Sequence, residues 1–333
     1  RIYIDTGLYP LSQNIDISSV DGGSSNDYVY IRGSTNGTVL ARTSQMLGAS
    51  SLALASADYM DVTDLTITGG YYGVYLNNVS HSVFQNIQVY GTANQGIRMS
   101  NGQSNRLGQI RVGRTRGSGI YISSSSANTI TNSMVWMNNG DGITIAGPSN
   151  VIRNCTIAYN TGDQLRVLSG EALLTHSIAV ASRSGTHCIG HDGGEYYGDY
   201  NDLYATNGAF AAYSDDQLYA RLIDWQSRPA SNDVNSIAHY PQFANTASGD
   251  FHLRSLTGRH LNGAWTNDSV HSPCIDAGMI FGLLTNEPAP HGGRINLGAY
   301  GDTAEASLSL TSAWVTVVSY NDGGTARRTV NLN

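Results

Sequence analysis

The sequence predicts an all-β solenoid, and a repeat of 22 to 23 residues is the first reason. The second reason is that each repeat opens with two apolar residues one position apart, as in Val74 and Leu76, which is the alternation of a β-strand. So regular a period predicts structural repeats that stack on a continuous core. The repeated phrases begin at Gly73, Gly96, Gly119, Gly142, Gln164 and His187.

Later positions in each repeat support the same interpretation. A second apolar pair, such as Ile110 and Val112, follows about ten residues after the first pair. Asparagines also recur at one register, and stacked turn asparagines can pass amide hydrogen bonds along a solenoid and satisfy buried polar groups. We therefore expect a coil of about three short strands. The recurring asparagines are Asn105, Asn128 and Asn150, with Asn132 and Asn154 as a second set.

With these strands and asparagines the sequence resembles the right-handed parallel β-helix superfamily, which contains pectate lyases, polygalacturonases, epimerases, phage tailspikes and large surface proteins. The resemblance implies a right-handed parallel β-helix with 22 to 23 residues per coil and an irregular C-terminal region. It implies a fold and leaves the reaction open.

Three parts are expected along the chain. Residues 1–205 are predicted to be regular coils, 206–307 an irregular continuation of the solenoid, and 308–333 a closing hairpin or the start of a following β-module. The segments DYNDLY (199–204), GDFHL (249–253) and WTNDSVHSPCIDAG (265–278) resemble a tail of secreted bacterial β-helix proteins, which implies secretion or a cell-surface location. Since Arg1 opens directly into a strand pattern, we expect a longer precursor, with further modules of the same polypeptide as partners.

Composition excludes several functions. A net charge of −7 argues against a protein that wraps nucleic acid, and the chain lacks the run of 18 apolar residues that a membrane span needs. All 18 basic residues are arginines, so a lysine base or Schiff base is excluded within this chain. Cys155, Cys188 and Cys274 are too few for a disulfide framework and are expected to be buried small hydrophobes.

The residue between the two apolar positions of each opening phrase is expected to face outward. An aromatic ring packs on a sugar ring and a guanidinium pairs with a carboxylate, so this row predicts binding of an acidic polysaccharide, with Tyr75, Arg98, Tyr121 and Thr144 as substrate contacts. The alternative is that tyrosine and arginine simply cover an exposed sheet. The full predicted row is Tyr30, Ala53, Tyr75, Arg98, Tyr121, Thr144 and Arg166.

Asp141, Asp163 and His187 precede three consecutive opening strands and are predicted to lie at one edge. With Arg166 they form the candidate catalytic set, as general acid, base or nucleophile of a lyase or glycoside hydrolase. Alternatively, the resemblance to calcium-dependent pectate lyases implies that Asp141 and Asp163 bind Ca²⁺ as a cofactor, while Arg166 or Arg98 removes a proton from a uronic acid. A third interpretation is ordinary turn chemistry, since Asp beside Gly favours a bend.

A further group of polar residues lies where the regular repeats end. His191, Glu195 and Tyr197 are candidate substrate contacts there, and a histidine with a tyrosine can act as an acid–base pair. His252, His260, His271 and His291 look isolated and are expected to be structural or exposed.

Two functions of different class follow. The first is an extracellular protein that binds, and in the enzymatic version cleaves, an acidic polysaccharide. The second is a non-catalytic stalk, sheath or adhesion module of a large surface protein.

Overall fold

The computed structural model describes residues 1–228, 232–279 and 284–310, and the backbone of two strands in 314–321 and 324–331. In the coils, strands pair in parallel with the coils before and after them, and each complete coil contributes one strand to each of three faces. Ile97 lies between Val74 and Ile120 on one face, and Arg111 lies between Gln88 and Met134 on another. The right-handed parallel β-helix with about one coil per 23 residues is confirmed.

The first face holds the opening strand of each repeat. A final antiparallel strand, Gln217–Tyr219, pairs with its last parallel member. Its parallel strands are Ile15–Ile17, Ser50–Ala55, Tyr72–Asn77, Ile97–Ser100, Ile120–Ser123, the starts of Ile143–Arg153 and Leu165–Thr175, His187–His191 and Phe210–Ser214.

The second and third faces complete each coil, and several long strands bend from one face into the next. The second face comprises Ile2–Ile4, Val29–Gly33, the starts of Met60–Gly69 and Val83–Tyr90, Arg106–Gly108, Thr129–Thr131, the ends of Ile143–Arg153 and Leu165–Thr175, and Gly194–Asp199. The third comprises Gly7–Leu11, Thr38–Arg42, the ends of Met60–Gly69 and Val83–Tyr90, Arg111–Gly113, Met134–Trp136, Thr156–Ala158, Ile178–Ala181 and Asp202–Ala205.

Buried asparagines join the coils as expected. Asn105 Nδ2 donates to Asn128 Oδ1 over 3.1 Å, and Asn128 Nδ2 donates to Asn150 Oδ1 over 3.0 Å. The same oxygens accept backbone N–H groups of the preceding coil, so one side chain satisfies several buried groups. Asn132 and Asn154 differ from the prediction: both adopt left-handed backbone at turns, and Asn132 donates instead to Ala299 and Gly301 carbonyls.

Residues 206–307 are predicted to be an irregular continuation of the solenoid; the strand Phe210–Ser214 continues the stack of coils, and most of the described residues after it pack elsewhere. The last parallel strand ends at Ser214, and a second apolar cluster forms between the third face and residues from 243 onward. Trp136 of the third face packs edge-on against Phe251, and the Ala299 N–H donates to Thr156 Oγ1. The described part of this region therefore folds back on the solenoid. Cys155, Cys188 and Cys274 are buried, and none of the three forms a disulfide.

A short α-helix, Leu222–Gln226, covers apolar side chains at the end of the coils. Its Trp225 is fully buried and donates from Nε1 to Asp233, whose carboxylate also accepts from Tyr196, Asn201 and Ser236. Hydrogen bonds from these four donors offset the cost of burying the Asp233 carboxylate, since the residue is only 1% exposed. Burial nevertheless raises the Asp233 pKa.

The remaining elements are short. In the part of the chain that the structure describes, 3₁₀ turns occur at Ser19–Asp21 and Thr246–Ser248. Three antiparallel pairs follow the coils: Phe243–Asn245 with Asp250–Leu253, Arg259–Leu261 with Ala264–Thr266, and Trp314–Asn321 with Gly324–Asn331. The last pair falls within the segment predicted as a closing hairpin or a following module.

We predict that Asn128→Ala lowers the free energy of unfolding by about 1–3 kcal/mol, because buried donors of Asn105 lose their acceptor. Chemical denaturation measures the change. Asn36→Ala is the control, since this side chain is exposed, and should stay within about 0.5 kcal/mol of wild type. Equal losses in both variants would contradict the role of the ladder.

Candidate functional site

The first face carries a row of outward side chains in strict register. Tyr30 is not part of it, because that residue lies on the second face opposite Asp61. The prediction failed there because the early coils are longer than the later repeat. The observed row is Asp16, Ala53, Tyr75, Arg98, Tyr121, Thr144, Arg166, Gly190 and Tyr213.

Tyrosine rings and one guanidinium form a half-exposed surface in the first part of this row. The Arg98 guanidinium lies 4.9 Å from the ring centre of Tyr121 and 5.9 Å from that of Tyr72. Tyr72 and Tyr75 are stacked with ring centres 5.4 Å apart. Tyr72 was not among the predicted contacts, although it lies three positions before Tyr75. Cation–π contacts with Tyr72 and Tyr121 position the Arg98 guanidinium beside the flat faces of these rings.

Further along the row, Asp163 and His187 form a tight pair. His187 Nδ1 lies 2.7 Å from Asp163 Oδ1, and the His187 backbone N–H donates to the same oxygen over 3.0 Å. The carboxylate therefore fixes the orientation of the imidazole and favours the tautomer with its proton on Nδ1. The other nitrogen, Nε2, is covered and has no hydrogen-bond partner.

A glycine makes room for this pair. A Cβ atom at Gly190 would collide with Asp163 Oδ2, so only glycine lets the carboxylate lie across the strand at this point. Because Gly190 is a member of the outward row, the row lacks a side chain between Arg166 and Tyr213. We refer to this gap in the row of side chains, which the Asp163 carboxylate occupies, as the recess.

Cationic and aromatic side chains border this recess. Arg166 donates to Asp192 over 2.7 Å and lies 3.7 Å from Asp163 Oδ2, with 38% of its side chain exposed. The rings of Phe210 and Tyr213 lie 5.6 and 5.3 Å from the imidazole of His187. The contacts of His187 with Phe210 and Tyr213 were not predicted, because these two residues come from a coil beyond the regular repeat.

Asp141 lies one coil before Asp163 and supports it. Its Oδ1 accepts the Asp163 backbone N–H over 2.9 Å and its Oδ2 accepts from the Thr144 hydroxyl over 3.1 Å. Burial, and to a smaller extent repulsion from Asp163, raises the pKa of Asp141. The four residues Asp141, Asp163, His187 and Arg166 thus lie together, as the sequence predicted.

Other predicted site residues need correction. Thr144 is only 1% exposed, so it supports Asp141 and does not contact a ligand. His191 is also buried, with Nδ1 at 3.1 Å from the Gly194 carbonyl, and burial lowers its pKa. Glu195 and Tyr197 are exposed on the second face, away from the row. The repeat does not predict this, because the chain bends from the first face to the second between the strands His187–His191 and Gly194–Asp199.

The predicted calcium site between Asp141 and Asp163 is not supported. Both carboxylates already accept hydrogen bonds from protein groups, and Arg166 supplies a positive charge 3.7 Å from Asp163. Ca²⁺ needs six to eight oxygen ligands, which these two residues do not offer.

A different group of possible metal ligands lies in the C-terminal region. Ligand atoms of His252, His260 and Glu305 all lie within 4.8 Å of one another. The prediction that His252 and His260 are isolated is therefore wrong. Their separation in the sequence hid the contact. Beside this cluster, Arg111 and Tyr300 line a groove of about 420 Å³.

Residues 12–207 match the family model described as "Right handed beta helix region", and 191–278 match one described as "Disaggregatase related". The first match spans more than half of the chain, which therefore belongs to the right-handed β-helix family. No curated protein sequence matches the chain. Among the described residues, no helix is long and apolar enough to cross a membrane.

Two solved structures share the architecture. Pectate lyase Pel9A is similar with a TM-score of 0.59 and 16% identity over 90% of this chain and 86% of that chain. The periplasmic alginate epimerase AlgG is similar with a TM-score of 0.51 and 15% identity over 65% of this chain and 56% of that chain. At these identities the similarity establishes the fold and leaves the chemistry to the site itself.

We predict that Asp141→Asn changes how stability depends on pH. The folded state raises the pKa of Asp141 above 3.8, so it favours the neutral carboxyl, and the stability gained from that preference is lost as the pH rises above 3.8. Asparagine keeps an acceptor for the Asp163 N–H but does not ionise. Wild type should therefore lose stability relative to Asp141→Asn as the pH increases.

Thermal unfolding across a pH series measures this difference. Asp16→Asn, at an exposed position on the same face, controls for the removal of one negative charge. Parallel curves for wild type and Asp141→Asn at every pH would contradict the prediction.

Proposed function

We propose that this protein binds an acidic polysaccharide along the first face and cleaves it by β-elimination at the recess beside Gly190. The single observation that carries the proposal is the Asp163–His187 pair next to Arg166, at the end of a row of tyrosines and arginine. We further propose a secreted or periplasmic location, where such a substrate would be met.

The residues in the recess suit proton removal more than hydrolysis. Hydrolysis would need one free carboxylic acid and one free carboxylate across the scissile bond, whereas Asp141 and Asp163 are both occupied by protein donors. An imidazole whose Nδ1–H is held by a carboxylate has a basic Nε2. His187 would supply that base after one of the rings of Phe210 and Tyr213 shifts to uncover it.

In the proposed step, His187 Nε2 takes the proton from the carbon next to the uronate carboxylate. The electrons of the broken C–H bond form the carbon–carbon double bond, and the glycosidic oxygen leaves with its bonding electrons and takes a proton from solvent. Arg166 would pair with the uronate carboxylate and stabilise the charge that develops there. No metal or lysine takes part in this step.

The row before the recess offers the binding surface. From Tyr75 to Arg166 it extends over four strand spacings, or about 19 Å, which accommodates several sugar units. Tyr72, Tyr75 and Tyr121 present ring faces for pyranose rings, and Arg98 presents a cation for a carboxylate between them. The similar structures named as a pectate lyase and an alginate epimerase make a uronate polymer the first substrate class to test.

One observation favours a second candidate, a non-catalytic structural or adhesion module. Asp141 and Asp163 each accept a backbone N–H from the next coil, and the buried asparagines elsewhere each accept one from the preceding coil. That is the pattern of residues retained for stacking the coils. Under this reading the row on the first face would bind without cleaving, or would only cover the sheet.

We predict that His187→Gln lowers the rate of cleavage by about 100- to 10,000-fold, the range expected when a general base is removed, while binding changes little. Release of unsaturated products from uronate polymers, followed by ultraviolet absorbance, measures the rate. Circular dichroism establishes that the variant is folded.

Matched arginine variants test the binding surface. Arg98→Gln and Arg166→Gln should weaken binding about tenfold or more, since each removes a charge-assisted hydrogen bond to a carboxylate. Arg106→Gln, at an exposed position on the second face, is the control and should bind as wild type does. Binding without any cleavage would favour the second candidate. Loss of binding only in Arg106→Gln would place the ligand on another face.

A further inference from the structure

We infer that His252, His260 and Glu305 form a site for a divalent transition metal, best satisfied by Zn²⁺. Their ligand atoms all lie within 4.8 Å of one another and come from three separate segments of the chain. The site lies in the C-terminal region that packs on the third face, so this inference is independent of the function proposed for the first face.

The shortest distance between ligand atoms fits a small tetrahedral ion, and the longer ones require the side chains to draw in around it. Zn–N and Zn–O bonds of about 2.0–2.1 Å at a tetrahedral angle place two ligand atoms about 3.4 Å apart. His252 Nε2 lies 3.4 Å from Glu305 Oε2, and His260 Nδ1 lies 3.9 Å from Glu305 Oε1. Nε2 of His252 is buried and has no hydrogen-bond partner. A buried nitrogen that faces a carboxylate and a second histidine is what an ion would satisfy.

Residues that contact the ligands also support a metal site. His252 Nδ1 lies 2.6 Å from Asp250 Oδ1, the contact by which a carboxylate orients a metal-binding histidine and leaves its other nitrogen for the ion. Asp250 lies 3.6 Å from Arg259, which in turn donates to Asp268 over 3.1 Å. This chain of contacts holds Asp250 in position.

Aromatic rings fix the two imidazoles. Tyr300 stacks on His252 with ring centres 3.5 Å apart, and its hydroxyl accepts from Arg111 over 2.9 Å. The ring of Trp265 contacts that of His260 edge-on at 5.5 Å. Only 11% of the His252 side chain and 19% of the His260 side chain are exposed. The two imidazoles are therefore held before any ion arrives, which reduces the entropy lost on binding.

The ligand set decides which ion is favoured. Two imidazoles and one carboxylate suit Zn²⁺ and neighbouring transition metals, whereas Ca²⁺ prefers six to eight oxygens. Three protein ligands also leave one position for water or for a ligand atom, as in zinc sites that act on a substrate. Glu305 and Tyr300 line the groove that also contains Arg111, so a bound ion would lie in the wall of a groove that carries an arginine.

Metal binding to the full chain tests the inference. Protein freed of metal with a chelator is titrated with ZnCl₂ by calorimetry, and CoCl₂ is added to a second sample to record the visible absorption of tetrahedral cobalt. We expect one Zn²⁺ per chain and a cobalt spectrum of tetrahedral type. Asp250→Asn should weaken binding about 10- to 100-fold, as removal of a carboxylate behind a ligand does, and His260→Ala by at least as much.

Two further variants distinguish the loss of a metal ligand from a failure to fold or from nonspecific binding to histidine. Glu305→Gln removes a ligand charge at nearly constant shape, so it should lose Zn²⁺ even if His260→Ala does not fold. His239→Ala removes an exposed histidine of the same region and should bind as wild type does. The inference is overturned if wild type binds no Zn²⁺, or if Glu305→Gln and His260→Ala bind it as tightly as His239→Ala.

Discussion

The structure depends on hydrogen bonding from coil to coil. Each strand of a coil pairs with the coils before and after it, and at the turns the buried side chains of Asn105, Asn128 and Asn150 continue the pairing where strand geometry stops. Because one unpaired buried group is costly, a coil can change length or direction only where a side chain replaces the lost backbone partner. The candidate site follows the same constraint, since Asp141 and Asp163 each accept a backbone N–H of the next coil.

This constraint links stability to the proposed chemistry. One oxygen of Asp163 serves both the stack and the imidazole of His187, so removal of the carboxylate would disturb a coil as well as a base. A substitution at His187 separates the two effects better, because its side chain is not part of the stack. The fold thus provides rigid placement of charged groups at one edge of a face.

Sequence reasoning worked where the period was regular. The repeat from Gly73 to His187 fixed the inward and outward positions, and with them the approach of Asp141, Asp163 and His187 at one edge. It failed where the period changed. Tyr30 lies outside the predicted row because the early coils are longer than the later repeat, and His191, a predicted substrate contact, is buried.

Contacts made outside the regular coils could not be predicted from the sequence repeat. The C-terminal region folds back on the third face through Phe251 and Ala299, and such docking depends on shape complementarity between distant segments. The cluster of His252, His260 and Glu305 arises only from that packing. In a sequence without spatial information, a histidine near an acidic residue in the fold cannot be told from one that is alone.

Gly190 has a consequence for how such a scaffold acquires new sites. In a row of side chains at even spacing, the missing side chain of Gly190 leaves a gap, and the Asp163 carboxylate of the neighbouring coil occupies it. The position of the recess along the row is therefore determined by Gly190, one residue of a repeating structure. A glycine moved by one repeat would relocate the recess by one strand spacing, so a family of such solenoids can diversify its surfaces while the core remains unchanged.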